Sequence, residues 1–190
     1  SPVKNFALKH KLPLEQPEKI KTSAAKELFA SYRAEVAVVV AYGRILPGEF
    51  VRAPQRGCIN VHFSLLPLYR GAAPANWAII NGEAKTGVTT MFIEERLDSG
   101  PILLQRETPI SETETATELM QRLSPIGADL LVENVNKLDG LTPRPQRDED
   151  ATFAPMLRKS DGLIDWSSEA SQIEHCVRGF QPWPMAYTMY

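Results

Sequence analysis

The sequence lacks most of the features that would place it in a specialised class of protein. Its 190 residues include only two cysteines, Cys58 and Cys176, which form neither a disulfide framework nor a metal-ligand spacing. The longest apolar run, at residues 36–42, is far shorter than the roughly 20 residues needed to cross a bilayer. The net charge of −2 provides no overall basic field for nucleic acid. These absences predict free thiols in a reducing compartment, no metal centre and no membrane partner.

The sequence does contain enough apolar residues to build a sizeable core. Its hydrophobic fraction of 43% and its charged fraction of 23% are both ordinary for a globular domain. Patterns typical of helices alternate with patterns typical of strands, which predicts an α/β fold. The predicted helices cover residues 1–10, 23–33, 75–81, 113–138 and 167–179, and the predicted strands cover residues 36–41, 57–62, 86–93 and 101–107.

Three local features carry further expectations about the fold. Residues 36–41 are apolar without alternation, which predicts a strand that is buried on both faces. The strands at 86–93 and 101–107 are close enough along the chain to form a hairpin-like pair at the edge of the sheet. Pro125 and Gly127 are expected to kink or interrupt the long helix that contains them.

An amide and an imidazole stand together at the end of a predicted strand. Asn60 and His62 alternate along that strand, so they point to the same side of the sheet, at the carboxyl end where open α/β sheets bind ligands. An amide can stabilise a developing oxyanion, and an imidazole can accept or donate a proton near neutral pH. The competing interpretation of these two residues alone is a turn cap and a buried structural histidine.

Two further segments add to this candidate site. Asp98 lies in a turn between two strands, where its carboxylate would orient the ring of His62, although an aspartate in a turn is often only a turn residue. The loop of residues 64–74 joins His62 to the next helix. Its small residues, among them Gly71, allow the backbone to approach a ligand closely, and Arg70 is a candidate for binding an anionic group.

These residues form a pattern that resembles the 10-formyltetrahydrofolate-dependent formyltransferases. The pattern consists of INVHFSLLPLYRGAAP at residues 59–74, GVTTM at 87–91 and LDSG at 97–100. The resemblance extends over essentially the whole chain and is strongest to the branch that formylates methionyl-tRNA. The stretches that point to this branch are SPVK at residues 1–4, VVVAYG at 38–43, IDW at 164–166 and PWPM at 182–185.

The resemblance implies a Rossmann-like formyltransferase domain followed by an OB-like β-barrel domain. We expect the catalytic domain to cover residues 1–142, a linker to cover 143–155, and the β-barrel domain to begin over 156–190. The polar, proline-bearing sequence of residues 143–150 is typical of a linker. Members of the family begin with a further βαβ stretch and end with a complete barrel, so the chain is expected to be an internal fragment. We therefore expect residues 1–190 alone to have no useful transferase activity.

The resemblance also implies a mechanism and a set of site residues. Asn60 would hydrogen-bond the formyl oxygen, and His62 would assist as a donor and help to move a proton. Asp98 would hold His62 and draw a proton from the attacking amine, which is the α-amino group of methionine on initiator tRNA. The formyl donor would be 10-formyltetrahydrofolate, and no metal would be needed. The residues expected to bind substrate or folate are Tyr42, Gly43, Arg44, Ile45, Leu46, Ser64, Leu65, Leu66, Pro67, Arg70 and Gly71.

The resemblance leaves two alternatives to this function. One is a related formyltransferase that acts on a nucleotide-linked amino sugar or on glycinamide ribonucleotide, and it shares Asn60, His62 and Asp98. The other is a folate-binding module without catalysis, which predicts the loss of at least one of these three residues, yet all three are present. In the main interpretation we expect a monomer in the bacterial cytoplasm or in an organellar matrix.

Three residues depart from the pattern that is common in the family. Phe63 stands where glycine or proline is usual, and it is expected either to narrow the pocket or to point into the core. Leu68 replaces a common basic residue, which would weaken contacts with an anionic substrate. Arg96 replaces a common glycine, which would change the shape of the Asp98 turn.

Overall fold

The computed structural model describes residues 2–190, and their helices and strands alternate in the predicted α/β manner. The helices are α1 (Pro2–Lys9), α2 (Ser23–Ser31), α3 (Gly48–Arg52), α4 (Pro74–Ile80), α5 (Ala116–Lys137) and α6 (Ala170–Gly179). The strands are β1 (Ala37–Val39), β2 (Cys58–His62), β3 (Arg70–Gly71), β4 (Lys85–Phe92), β5 (Ile102–Pro109) and β6 (Phe153–Ala154). No helix in this part of the chain has the length and apolar character needed to cross a membrane.

A four-stranded sheet with the order β1-β2-β4-β5 forms the centre of the fold. β1 runs parallel to β2, whereas β2 and β4 are antiparallel, as are β4 and β5. The pair β4–β5 lies at one edge of this sheet, and the turn that contains Asp98 joins its two strands. The prediction of a hairpin-like pair at the sheet edge is confirmed.

β1 lies at the other edge and is shorter and more exposed than predicted. It covers Ala37–Val39 rather than residues 36–41, and Ala41 has a φ of +48°, which is outside the range of a strand. The side chains of Val38 and Val40 are 42% and 54% exposed. Within residues 2–190 only β2 pairs with β1, and no layer covers these two valines. The prediction of a strand buried on both faces is therefore wrong for the described residues.

α5 continues through Pro125, where the sequence predicts a kink or an interruption. Leu119, Leu123 and Leu130 lie on both sides of this proline, and each is at most 2% exposed. Burial of one such leucine contributes roughly 1.5–3 kcal/mol, so packing on the sheet offsets the hydrogen bond that proline cannot donate. Gly127 assists this packing, because a Cβ atom there would lie only 3.1 Å from Cγ1 of Val61.

The sheet has α5 on one face and the loop of residues 64–68 on the other. Val61 and Val88 pack against the buried side of α5. On the opposite face Leu66 of the loop packs against Met91 and Ile102. The loop therefore covers the face of the sheet opposite α5, at the end of β2.

Residues after 143 pack closely on the rest of the molecule. Arg144 exchanges two backbone hydrogen bonds of 2.8 Å with Ile102 of β5, and β6 pairs in parallel with β3. α6 lies against α4, where the Asn76 amide donates to the Gly179 carbonyl at 2.7 Å. A side chain at Gly179 would overlap Ile80, so the two helices meet at backbone distance.

Candidate active site

β2 places the two polar residues that the sequence singles out on one face of the sheet. Asn60 is opposite Met91 of β4 and His62 is opposite Thr89, and residues two apart on a strand point the same way. Val61 and Phe63 point to the other face, where they pack near α5. Asn60 and His62 therefore share the face that the loop of residues 64–68 covers.

The side chain of Asn60 is partly exposed and has no hydrogen-bond partner within residues 2–190. Other asparagine amides in the structure are engaged, for example Asn76 with the Gly179 carbonyl and Asn134 with the Thr90 hydroxyl. A side-chain amide offers two N–H donors and one carbonyl acceptor. The Asn60 amide is thus available to donate to an oxygen atom that approaches the end of β2.

His62 is buried, and a backbone carbonyl fixes one nitrogen of its ring. Nε2 lies 2.9 Å from the carbonyl oxygen of Tyr69. Because a carbonyl oxygen only accepts, Nε2 carries the hydrogen of the neutral ring and Nδ1 carries the lone pair. Tyr69 is itself held in place, since its N–H donates to the Thr152 hydroxyl at 2.8 Å and its own hydroxyl donates to Glu83 at 2.6 Å.

The carboxylate of Asp98 faces the free nitrogen of His62. Its Oδ2 atom lies 3.7 Å from Nδ1 and accepts a 2.9 Å hydrogen bond from the N–H of Gly71. In the neutral ring, Nδ1 and Oδ2 are both acceptors, so a group that carries protons, such as an amine or a water molecule, would satisfy them together. Residues 2–190 contain no cluster of three or more histidine, cysteine, aspartate or glutamate side chains suited to holding a metal ion.

The protonation of His62 follows from its surroundings. Burial lowers the pKa of His62 below its ordinary value of 6.5, and this effect exceeds the opposite influence of the Asp98 carboxylate and of the Tyr69 carbonyl. The ring is therefore neutral at pH 7, with its lone pair directed towards Asp98.

We expect His62 to titrate below pH 6.5 and to titrate lower still in an Asp98→Asn variant, which lacks the carboxylate that raises its pKa. A histidine with a depressed pKa in the folded state contributes stability that is fully present above pH 6.5 and is lost as the pH falls below it. NMR of the imidazole Cε1–H signal, assigned with a His62→Gln variant, measures the pKa directly. An identical pKa in the wild-type protein and in Asp98→Asn would contradict the close contact between the two side chains.

Two polar side chains that sequence reasoning missed hold the loop of residues 64–68 over the sheet. The Thr89 hydroxyl donates to the Ser64 carbonyl at 2.7 Å and accepts from the Leu66 N–H at 3.2 Å. The Gln105 amide donates to the Leu66 carbonyl at 2.9 Å. Thr89 and Gln105 are directly opposite each other on β4 and β5. Two polar residues at inward-facing positions of adjacent strands could have indicated that a polar partner packs on them.

The remaining loop residues predicted to bind substrate differ in their exposure. Ser64 is fully buried, and its hydroxyl donates to the carbonyl of Leu68 at 2.6 Å. Leu66 is also buried, whereas Leu65 and Pro67 are half-buried. The side chains of Ser64 and Leu66 therefore stabilise the loop itself. A role of any of these residues in substrate binding stays a prediction.

Arg70 and Gly71 contact other parts of the protein. Arg70 is 4% exposed, and its guanidinium donates to Gln146 and to Asp148, each at 2.9 Å. Gly71 has a φ of +134°, and a side chain there would overlap the Ala154 carbonyl, so only glycine can present this N–H to Asp98 without strain. Arg70 as a group that binds an anionic ligand stays a prediction, and in the structure its partners are protein side chains.

The segment of residues 42–46 follows β1 and is open to solvent. β1 runs parallel to β2, so this segment and His62 both lie at the carboxyl ends of their strands, on the same side of the sheet's end. Tyr42, Gly43, Arg44 and Ile45 are exposed and Leu46 is half-buried. Gly43 has a φ of +71° with no atom within 4 Å of a Cβ position. The segment offers an open and partly apolar surface near the site.

The structure decides the orientation of Phe63 and gives Arg96 a partner. Phe63 packs against α5, and its Cε1 atom would be 3.4 Å from a Cβ at Gly127, so it points into the core and does not narrow the pocket. Leu68 is 39% exposed. Arg96 reaches residues 143–155 and donates to Asp148 at 2.8 Å.

The chain is similar along its whole length to known formyltransferases. The family model described as formyl transferase matches residues 1–135, and the one described as formyl transferase, C-terminal domain, matches residues 156–190. A methionyl-tRNA formyltransferase of Thermodesulfovibrio yellowstonii is 51% identical, and the match covers 98% of this chain and 61% of that protein. A methionyl-tRNA formyltransferase of Pelobacter propionicus is 50% identical over 99% of this chain and 60% of its own length.

Solved structures show the same fold at lower sequence identity. A sugar N-formyltransferase from a Shewanella species has a TM-score of 0.80 and 22% identity, and the match covers all of this chain and 76% of that chain. HypX from Aquifex aeolicus in complex with tetrahydrofolic acid has a TM-score of 0.70 and 19% identity over 86% of this chain and 29% of that chain. This chain spans about 60% of the length of the curated relatives it matches. On the matched residues and on this fold, the chain belongs to the formyltransferase family.

Proposed function

We propose that this chain is the catalytic part of an enzyme that transfers a formyl group from 10-formyltetrahydrofolate to the α-amino group of methionyl-tRNA. One observation carries the proposal: the unpaired Asn60 amide shares a face of the sheet with two facing acceptors, His62 Nδ1 and Asp98 Oδ2. Formyl transfer to an amine needs an oxyanion donor near a proton acceptor. The naming of relatives at about 50% identity supports methionyl-tRNA as the acceptor.

In this mechanism Asn60 acts on the formyl oxygen. Its amide N–H donates to that oxygen as negative charge develops, while the amine nitrogen forms a bond to the formyl carbon. A donor held by a buried strand costs little reorganisation at the moment of reaction, so it stabilises the transition state more than the ground state. The end of β2 supplies this rigidity, because both neighbouring strands pair with it there.

In this mechanism Asp98 and His62 accept the proton that the amine loses. The attacking nitrogen is hydrogen-bonded by Asp98 Oδ2 and by the lone pair of His62 Nδ1, and its proton passes to this pair as the new bond forms. The same proton goes to the folate nitrogen when the bond from that nitrogen to the formyl carbon breaks. The N–H at Nε2 is engaged with Tyr69, so in this proposal His62 acts as a proton acceptor at Nδ1 and not as a second oxyanion donor.

The residues present fit a formyl donor with a flat heterocyclic ring. Tyr42 and Ile45 are 40% and 84% exposed, and Gly43 leaves open space at the sheet edge beside the end of β2. An exposed apolar surface next to an unpaired amide donor suits a ring that must bring its formyl group to Asn60. We propose that residues 42–46 and the half-buried Leu65 and Pro67 hold the folate.

The domain organisation and the setting of the reaction are also proposals. We propose a catalytic domain over residues 1–142, a connecting segment over 143–155, and the beginning of an OB-like domain over 156–190. The enzyme acts as a monomer on initiator methionyl-tRNA in the bacterial cytoplasm, where translation begins. The relatives of bacterial origin named above support this setting.

The test offers the full-length protein three acceptors with labelled 10-formyltetrahydrofolate: initiator methionyl-tRNA, a nucleotide-linked amino sugar and glycinamide ribonucleotide. We expect formylation of methionyl-tRNA with a kcat/KM at least about a hundredfold above that of the other two, because a site built for one acceptor rejects others by unpaired polar groups. A higher kcat/KM for the amino sugar or for the ribonucleotide would overturn the assignment. Folate binding without turnover on any of the three would identify a non-catalytic module.

A further inference from the structure

The segment of residues 144–148 lies directly on the turn that carries Asp98. Arg144 pairs through its backbone with Ile102, just after this turn. Two residues further on, the side-chain amide of Gln146 donates to the carbonyl of Asp98 at 2.9 Å and to the carbonyl of Gly100 at 2.7 Å. The Gln146 amide therefore donates hydrogen bonds to two backbone carbonyls of the turn.

Gln146 also contacts the loop that faces this turn. Its carbonyl oxygen accepts a 2.9 Å hydrogen bond from Nε of Arg70, the residue before Gly71. Gly71 in turn donates its N–H to the Asp98 carboxylate. One side chain thus ties together two segments that meet at Asp98 but are far apart along the chain.

Asp148 adds a second connection of the same kind. Its two carboxylate oxygens accept from Arg70 at 2.9 Å and from Arg96 at 2.8 Å, so it also joins the loop to the Asp98 turn. Hydrogen bonding to these two arginines lowers the pKa of Asp148 below its ordinary value, which keeps the carboxylate ionised. Asp148 is exposed, whereas Gln146 is half-buried and reaches the turn itself.

The Asp98 turn needs such external support. Residues 94–97 are exposed, and Asp98 has a φ of +47°, a conformation that residues with a side chain rarely adopt. A conformation of this kind persists only where the surrounding structure imposes it. The hydrogen bonds from Gln146 and from Gly71 act on the two ends of this one residue, its carbonyl and its carboxylate.

From this geometry we propose that Gln146 is a positioning residue for formyl transfer, which holds the Asp98 carboxylate against Gly71 and His62. The connecting segment between the two matched regions is then part of the catalytic apparatus and not only a spacer. The proposal rests on the proposed function for its kinetic consequence. Its geometric content, that Gln146 keeps Asp98 next to His62, is independent of the substrate.

Two variants in the full-length protein separate the donor and acceptor roles of Gln146. Gln146→Met removes the hydrogen bonds to Asp98, Gly100 and Arg70 at nearly the same side-chain length. Gln146→Glu keeps the acceptor for Arg70 but removes the donors to Asp98 and Gly100. The matched control is Gln172→Glu, whose amide donates to the Ile80 carbonyl at 2.9 Å, away from Asp98. Thermal melting of each variant identifies any that fail to fold.

We expect both Gln146 variants to lower kcat about 10- to 100-fold with the KM for the formyl donor changed less than about threefold, since displacing a catalytic group by 1 Å can cost 10²-fold in rate. Gln172→Glu is expected to leave kcat within about twofold. Equal kcat in the wild-type protein and in both folded Gln146 variants would overturn the proposal. So would a loss confined to KM, which would indicate a binding contact.

An NMR readout keeps the proposal testable even if no acceptor is turned over. The Asp98 carboxylate raises the pKa of His62, so displacement of Asp98 in Gln146→Met is expected to lower that pKa in the same direction as Asp98→Asn does. A purely structural role for Gln146 predicts no change at His62. An unchanged His62 pKa in a folded Gln146→Met variant would therefore contradict the proposal by itself.

Discussion

Replacement of Asp98 with asparagine is expected to reduce kcat for formyl transfer by about 10²- to 10⁴-fold, the range that general acid–base groups contribute. Asparagine has the same shape, and its Oδ1 can still accept the hydrogen bond from the Gly71 N–H. The loop geometry should therefore survive, while the negative charge that draws a proton from the amine in the proposed mechanism is lost. Steady-state kinetics with saturating formyl donor and methionyl-tRNA measures the effect.

The control for this prediction is Asp129→Asn, a change at an exposed position of α5. We expect its kcat to match that of the wild-type protein, because it lies on the helix that covers the opposite face of the sheet. Thermal unfolding of Asp98→Asn should differ little from the wild-type protein above pH 6.5. Wild-type kcat in Asp98→Asn would remove Asp98 from the mechanism and leave His62 as the proton acceptor.

The face of β2 that carries the site follows from local rules that act within a few residues. Strand alternation correctly predicts that Asn60 and His62 point to one side of the sheet. The position of Asp98 between two predicted strands correctly places it in the turn that joins β4 and β5. The tautomer of His62 was not accessible in this way. It depends on a carbonyl at Tyr69, whose orientation is set by Thr152 and by Glu83, and no local pattern links these residues.

The error about the burial of β1 has a tertiary cause, and tertiary packing also decides the two expectations about Pro125 and Phe63. The apolar run near Val38 reads as a strand covered on both sides, but coverage is a property of the neighbouring layers and not of the strand itself. Pro125 and Gly127 predict a kink or an interruption; burial of the leucines on both sides of Pro125 keeps α5 uninterrupted, and a kink stays a prediction. Of the two orientations expected for Phe63, the alternation of side chains along β2 selects the one that points into the core, against α5.

Polar residues after position 143 look like a linker because they have no periodicity. Periodicity reports burial of apolar side chains, whereas Gln146 and Asp148 act through hydrogen bonds and ion pairs. Their significance follows from their partners in three dimensions, Arg70, Arg96 and the Asp98 turn. Pattern analysis therefore does not detect that this polar segment contacts the Asp98 turn.

Replacement of Asn60 with alanine is expected to lower kcat by about 10²- to 10³-fold, the cost of removing one oxyanion-hole donor. The free energy of unfolding should change by no more than about 0.5 kcal/mol, because the Asn60 side chain makes no hydrogen bond within residues 2–190. Binding of the formyl donor, measured by calorimetry, should remain close to that of the wild-type protein. Equal losses of binding and turnover would instead indicate a ground-state contact.

Asn76→Ala provides the opposite case in the same chain. The Asn76 amide is buried and donates to the Gly179 carbonyl at 2.7 Å, so its loss leaves that carbonyl unpaired between α4 and α6. We expect this variant to lose about 1–3 kcal/mol of stability while its kcat stays within a few-fold of the wild-type value. The two asparagines differ in whether the protein itself uses their amide donors. A stability loss in Asn60→Ala as large as that in Asn76→Ala would mean that Asn60 is a structural residue, and it would contradict the proposed role of its amide as an oxyanion donor.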